Sequence, residues 1–150
     1  MYSKKNQIIE EKLAYVWAFG QNKDGELGLG NQQDAFLPEP INGFEPARSV
    51  SSGSHHSMMV SKSGKVFTCG SALHGKLGLQ INEAGNLVKF TQVRLPTTAK
   101  SVAVGDYHTL CLTDSGQVYA WGGSLHKKTA NAAGGSKPLL VKSLSNVVVT

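Results

Sequence analysis

The run Gly70-Ser-Ala-Leu-His-Gly75-Lys76-Leu77 comes within one residue of a phosphate-binding loop, Gly-x-x-x-x-Gly-Lys-Ser/Thr. Such a loop uses its last hydroxyl to ligate magnesium, and Leu77 has none. Five histidines, His55, His56, His74, His108 and His126, raise the question of metal binding or proton transfer. His55 and His56 are adjacent, and neighbours on a strand point to opposite faces, which disfavours shared ligation. Cys69 and Cys111 have no Cys-x-x-Cys partner and read as buried free thiols, which fits a reducing, intracellular compartment. Asp24, Asp106 and Asp114 lie in turn-rich segments without a paired carboxylate, and no Gly-x-Ser-x-Gly element is present. The sequence therefore points to no catalytic residue, no cofactor and no metal, and a non-enzymatic chain is expected.

The positions of these residues have a simpler explanation, because the chain repeats itself. Val16-Trp-Ala-Phe-Gly20 returns as Val66-Phe-Thr-Cys-Gly70 and again as Val118-Tyr-Ala-Trp-Gly122, at spacings of 50 and 52 residues. Val50-Ser-Ser-Gly-Ser-His-His56-Ser matches Val102-Ala-Val-Gly-Asp-Tyr-His108-Thr in the same register. Asp24-Gly-Glu-Leu-Gly28-Leu-Gly30 matches His74-Gly-Lys-Leu-Gly78-Leu-Gln80. A fixed period of this size means one supersecondary unit copied in series. His56 and His108 then hold one repeat position, and a recurring structural hydrogen bond accounts for both. His74 and His126 share a turn position. The near-phosphate loop is also a repeat feature, since Glu26 stands where Lys76 does.

The elements that carry these residues are strands. His108, Leu110 and Leu112 alternate with Thr109, Cys111 and Thr113, and Asp114-Ser-Gly116 supplies a turn before Gln117-Val-Tyr-Ala-Trp121. One period earlier His56, Met58 and Val60 alternate with Ser57, Met59 and Ser61, followed by Lys62-Ser-Gly64. Apolar residues on both faces suit a small sheet held between neighbours. Proline-bearing segments at Leu37 to Ile41, Val93 to Pro96 and Lys137 to Val141 mark further strand starts or edges. The total is about four short strands in roughly 51 residues, the content of one propeller blade.

Composition agrees. Seventeen glycines in 150 residues imply many tight turns, and no apolar run reaches the roughly 18 residues of a membrane span. Residues 1–14 read as a polar arm, with Lys4, Lys5 and Lys12 set against Glu10 and Glu11 and without the apolar stretch of a signal peptide. Net charge is +5, divided as five Lys/Arg and seven Asp/Glu in residues 1–50 against ten and three in residues 51–150. That excess would suit an acidic partner or nucleic acid, but no block of like charge or aromatic-interleaved basic stripe accompanies it.

The pattern Gly-x-x-His-Thr/Ser, then Gly-x-Val-Tyr-x-Trp-Gly, then Gly-x-Leu-Gly resembles the regulator of chromosome condensation repeat over roughly residues 15–150. It is carried by Gly53, His56, Ser57, Gly64, Val66, Gly70, Gly75, Leu77 and Gly78, by Gly105, His108, Thr109, Gly116, Val118, Tyr119, Trp121 and Gly122, and by Trp17, Gly20, Gly25, Leu27, Gly28 and Gly30. Kelch propellers, with a similar period, carry a double glycine that occurs here only in the third copy, at Gly122-Gly123; WD40 repeats lack the Leu-Gly-Leu element. The resemblance implies an all-β fold of propeller blades, each of about four antiparallel strands, in a ring that is seven-bladed in founding members. Residues 15–150 hold about two and a half periods, so the remaining blades are expected from the same or another chain.

For function, the resemblance implies a non-catalytic protein-interaction scaffold within a larger assembly. Its alternative is a guanine-nucleotide exchange factor for a Ran-type small GTPase with chromatin association. Location stays open between cytoplasm, nucleus and cytoskeleton or cilium, with no membrane partner expected. Candidate partner contacts are Lys127 and Lys128, where the third copy departs from Gly-x-Leu-Gly, and Asn82, Glu83 and Asn86, in the best candidate for a protruding loop.

Overall fold

The hairpins anticipated from alternation and turn chemistry form the middle of two sheets. A computed structural model describes residues 16–81, 85–123, 135–144, 147 and 149–150. Among these residues ten strands follow in order: β1 (Val16–Gly20), β2 (Ala35–Ile41), β3 (Ala47–Ser52), β4 (His56–Ser61), β5 (Val66–Ser71), β6 (Asn86–Val93), β7 (Ala99–Val104), β8 (His108–Thr113), β9 (Val118–Gly122) and β10 (Leu139–Leu140). Short 3-10 turns occupy Leu73–Gly75 and Lys142–Leu144. No helix among the described residues is long and apolar enough to cross a membrane.

The strands form two antiparallel four-stranded meanders, β3-β4-β5-β6 and β7-β8-β9-β10, and a two-stranded ribbon, β1-β2. Each meander is one blade, and the ribbon matches the outer half of one. The tight turns form as their sequences require: Gly64 N–H donates to Ser61 O at 2.8 Å and Gly116 N–H to Thr113 O at 3.1 Å. Both glycines have positive φ, the geometry of a type I turn closed by a left-handed residue. The ladders slip at matching repeat positions, between Ala47 and Ser49 and between Ala99 and Ser101. Bulges bend and twist the strand that carries them, so repeated bulges give the blades a common twist.

The core lies between the two complete blades. Met58, Val60, Val66 and Val93 from one pack with Ala99, Val102, Cys111, Tyr119 and Trp121 from the other. Trp121 is 1% exposed. Its ring lies on the turn of the preceding blade, where a Cβ added at Gly78 would stand 2.8 Å from Trp121 Nε1. Gly78 also has φ +73°, so both the backbone and the neighbouring ring call for glycine. At Gly28 an added Cβ would stand 2.5 Å from the Phe90 ring of β6 and 3.2 Å from Sγ of Cys69, which lies one period before Trp121. Each Gly-x-Leu-Gly turn is thus a seat for the third strand of the next blade.

Candidate interaction face

The turns joining the first and second strands of each blade, Gly53 to His55 and Gly105 to Tyr107, lie at the same end as the loops after the third strands. This end carries most of the side-chain links from blade to blade. His55 Nδ1 meets Asp24 Oδ2 at 2.9 Å, and Asn86 Nδ2 donates to Asp24 Oδ1 at 3.0 Å. One repeat further on, the equivalent positions are His74 and Tyr107, whose rings meet edge to face at 5.4 Å. Ser54 Oγ donates to Asp106 Oδ1 at 2.5 Å across equivalent positions of neighbouring turns. That bond is the main cause holding the Asp106 carboxyl below its ordinary range.

Behind this surface is a buried relay. His56, 0% exposed, places Nε2 3.0 Å from Thr109 Oγ1 in the next blade. The Thr109 hydroxyl donates to Lys76 O at 3.1 Å, and Trp121 Nε1 donates to the same carbonyl at 3.0 Å. Lys76 itself is buried, its ammonium 6.0 Å from the centre of the Tyr107 ring. Desolvation lowers its pKa, opposed by Asp24 and Asp106. Burial, and secondarily the charge of Lys76, brings the His56 pKa down to about 4.

The inner strands add a second kind of link. Val102 N–H donates to Ser49 Oγ at 3.3 Å and Val104 N–H to Ser51 Oγ at 3.0 Å. At the opposite end Arg48 Nη2 bonds both Asp114 oxygens, at 3.0 and 2.9 Å, and the Ala99 carbonyl. Thr98, then Arg48, holds the Asp114 carboxyl below its usual range. The three aspartates without carboxylate partners therefore serve as ties: Asp24 to His55, Asp106 to Ser54, Asp114 to Arg48. No group of three or more His, Cys, Asp or Glu gathers at metal-binding distance among the described residues.

Of the residues read from sequence as partner contacts, Asn86 lies on this face at the start of β6, where its amide ties the first blade to the second through Asp24. Asn82, Glu83, Lys127 and Lys128 lie outside the described residues. The recurring histidine bond is present at His56. His108 is exposed, with no further blade packed on it among the described residues. Cys69 and Cys111 are buried free thiols, as read from sequence, and burial pushes Cys111 up to about 12 and Cys69 higher still.

Two features escaped the sequence. Asn22 is fully buried: its Oδ1 accepts from Leu27 N–H, and its Nδ2 donates to the carbonyls of Asn31 and Gln33. Ala72 holds its place one repeat on, so the period gave no signal. His74 adopts φ 64°, a left-handed conformation uncommon for a non-glycine residue. Its neighbours Leu73 and Tyr107 are 50% and 57% exposed, giving the face an apolar and aromatic centre.

Comparison with known proteins agrees with this construction. The family model of the regulator of chromosome condensation (RCC1) repeat matches residues 15–60 and 63–112, and a second RCC1-repeat model matches 47–76 and 99–126. The chain is 33% identical over 111 residues to the regulator of chromosome condensation of Drosophila melanogaster, covering 73% of this chain and 20% of that protein. It is 37% identical over 114 residues to the secretion-regulating guanine nucleotide exchange factor of Mus musculus, covering 73% and 24%. The chain thus spans about a fifth to a quarter of these relatives. The crystal structure of Prp20p from Saccharomyces cerevisiae superposes with a TM-score of 0.68 at 20% identity, over 83% of this chain and 33% of that one. With its blades, its glycine seats and its matched repeats, the chain belongs to the RCC1 repeat family and folds as RCC1-type propeller blades.

Proposed function

We propose that this chain acts without catalysis, as a rigid scaffold that binds a protein partner through the face bearing Leu73, His74, Asp106 and Tyr107. The observation that carries this reading is the cross-linking of that face: Asp24–His55, Ser54–Asp106 and His74–Tyr107 each join one blade to the next. A surface fixed in this way loses little side-chain entropy on binding, and Tyr is enriched among the residues that dominate interfaces.

Guanine-nucleotide exchange is the second reading. It is favoured by the exchange factor among the relatives and by the structural likeness to Prp20p, a protein with binding properties toward Gsp1p and histones. Exchange would require no covalent chemistry from this face. A nucleotide-release assay with a Ran-type GTPase, run beside a binding titration, separates the two. Scaffolding predicts release at the intrinsic rate, and any binding that occurs weakens in Tyr107→Ala; accelerated release would replace that reading with exchange.

A further inference from the structure

The link from β2 to β3, residues 42–46, carries the chain from the two-stranded ribbon into the first complete blade. It begins with Asn42 and Gly43, both exposed. The repeat does not call for this pair. Ile41 and Ala47 hold the positions of Val93 and Ala99, so Arg94 and Leu95 stand in their places one period on, and Leu95 packs against the core. Asn22, Asn31 and Asn86 have their side chains held in hydrogen bonds. The side chain of Asn42 bonds no other described residue, and a Cβ added at Gly43 would find nothing within 4 Å. We infer that Asn42 and Gly43 form a site of spontaneous covalent conversion, where the asparagine deamidates through a cyclic imide and leaves an isoaspartyl bond in the link between ribbon and blade.

The step needs a main-chain nitrogen that can reach the side-chain carbonyl before it. Gly43 N–H donates to no described backbone carbonyl, and glycine has no Cβ to crowd the attack. Solvent hydroxide takes its proton, and the electron pair left on nitrogen forms a bond to Asn42 Cγ. The Cγ–Nδ2 bond breaks, and the nitrogen leaves as ammonia after taking a proton from water. Water then opens the imide. Attack at Cγ gives aspartate, whereas attack at the main-chain carbonyl gives isoaspartate, with the chain running through Cβ and Cγ and the old carbonyl freed as a carboxylate. Ammonia is lost, water is gained, and nothing is oxidised or reduced. The isoaspartyl product adds a negative charge and a main-chain carbon. That carbon enters between Ile41, buried at the end of β2, and the anchors of the link on the blade: Phe44, edge to face with Phe67 at 5.0 Å, and Glu45, which accepts from Ser63 N–H at 2.9 Å.

This inference stands apart from any partner on the loop face. The native full chain is incubated in mildly alkaline buffer beside a synthetic peptide of its own Glu39 to Ala47 sequence. Both are mapped at intervals by mass spectrometry, with fragmentation that tells isoaspartyl from aspartyl products. The expected result is conversion at Asn42 in the native chain at a rate close to that of the peptide, with isoaspartate in excess of aspartate. Asn22, Asn31 and Asn86 should stay intact over the same interval. Conversion at this site should quicken as pH rises, slow in Gly43→Ala, and be lost in Asn42→Gln, whose longer side chain would have to close a larger ring. Native Asn42 left intact while the peptide converts would overturn the proposal, because the fold would then block the attack. Conversion that begins only after urea unfolds the chain, conversion of Asn22, Asn31 or Asn86 as fast as Asn42, or no conversion in either sample would overturn it as well.

Discussion

His56 Nε2 lies 3.0 Å from Thr109 Oγ1, and the hydroxyl has already given its proton to Lys76 O. The hydroxyl must therefore accept from the imidazole. Proton count assigns the hydrogen to Nε2 and leaves Nδ1 bare, and Nδ1 is indeed buried without a partner. The neutral tautomer holds two blades together. A second proton would be buried at Nδ1 in an interface that offers it no acceptor and already holds Lys76.

Acid should therefore loosen this interface. The His56 pKa is about 4 when folded against 6.5 as the ordinary value, so the unfolded chain takes up the proton first as pH falls. Stability contributed by neutral His56 is complete above about pH 6.5 and drains away toward pH 4, by about 3 kcal/mol. Urea unfolding between pH 7 and 4 should show this loss. A His56→Gln chain should lack that part of the pH dependence; an unchanged slope would remove His56 as its source.

Thr109→Val strips the hydroxyl while keeping the shape, and leaves His56 Nε2 and one site on Lys76 O unsatisfied. A destabilisation of about 1–3 kcal/mol is expected. Thr109→Ser should recover most of it in the same denaturation experiment.

Gly78→Ala forces a Cβ toward the Trp121 ring at a backbone position with φ +73°. The conformational penalty alone is about 1 kcal/mol, and displacement of the ring should raise the total to about 2–4 kcal/mol. Trp121 emission should shift to the red before global unfolding. A variant as stable as the parent, with unshifted emission, would show that the seat is unimportant.

Arg48 and Asp114 illustrate the opposite scale. Their side chains are 30% and 43% exposed, so the coupling read from a double-mutant cycle should be small and shrink with salt. Arg48→Ala should still cost more than Asp114→Ala, because the guanidinium also donates to the Ala99 carbonyl.

Cys69 and Cys111 should resist thiol reagents in the native protein and react stoichiometrically once urea unfolds it. Both are 0% exposed, with pKa values raised by desolvation. Labelling of either at the rate of a free thiol under native conditions would contradict the packing.

The strands were legible because their signals are local: alternation from His108 to Thr113, the turn at Asp114 to Gly116, the glycine closing each third strand. The role of His56 was legible through its repetition, although the sequence did not show that its partner is the threonine next to His108. The pairing of Asp24 with His55 was hidden for the same reason. Each contact crosses from one blade to the next, and a side chain's reach across a blade boundary depends on blade twist, which no local pattern encodes. Asn22 was hidden differently, since it does its work in a single loop and has no counterpart to draw attention to it.

The serines of β3 complete the picture of how neighbouring inner strands meet. Val102 and Val104 give their N–H groups to hydroxyls of Ser49 and Ser51, not to a backbone ladder. Exchange of these two amide protons with solvent deuterium consequently requires only that the blades part, whereas exchange within β8 requires the sheet itself to come apart. The two valines thus form a built-in reporter of blade separation, set to respond before any strand is lost.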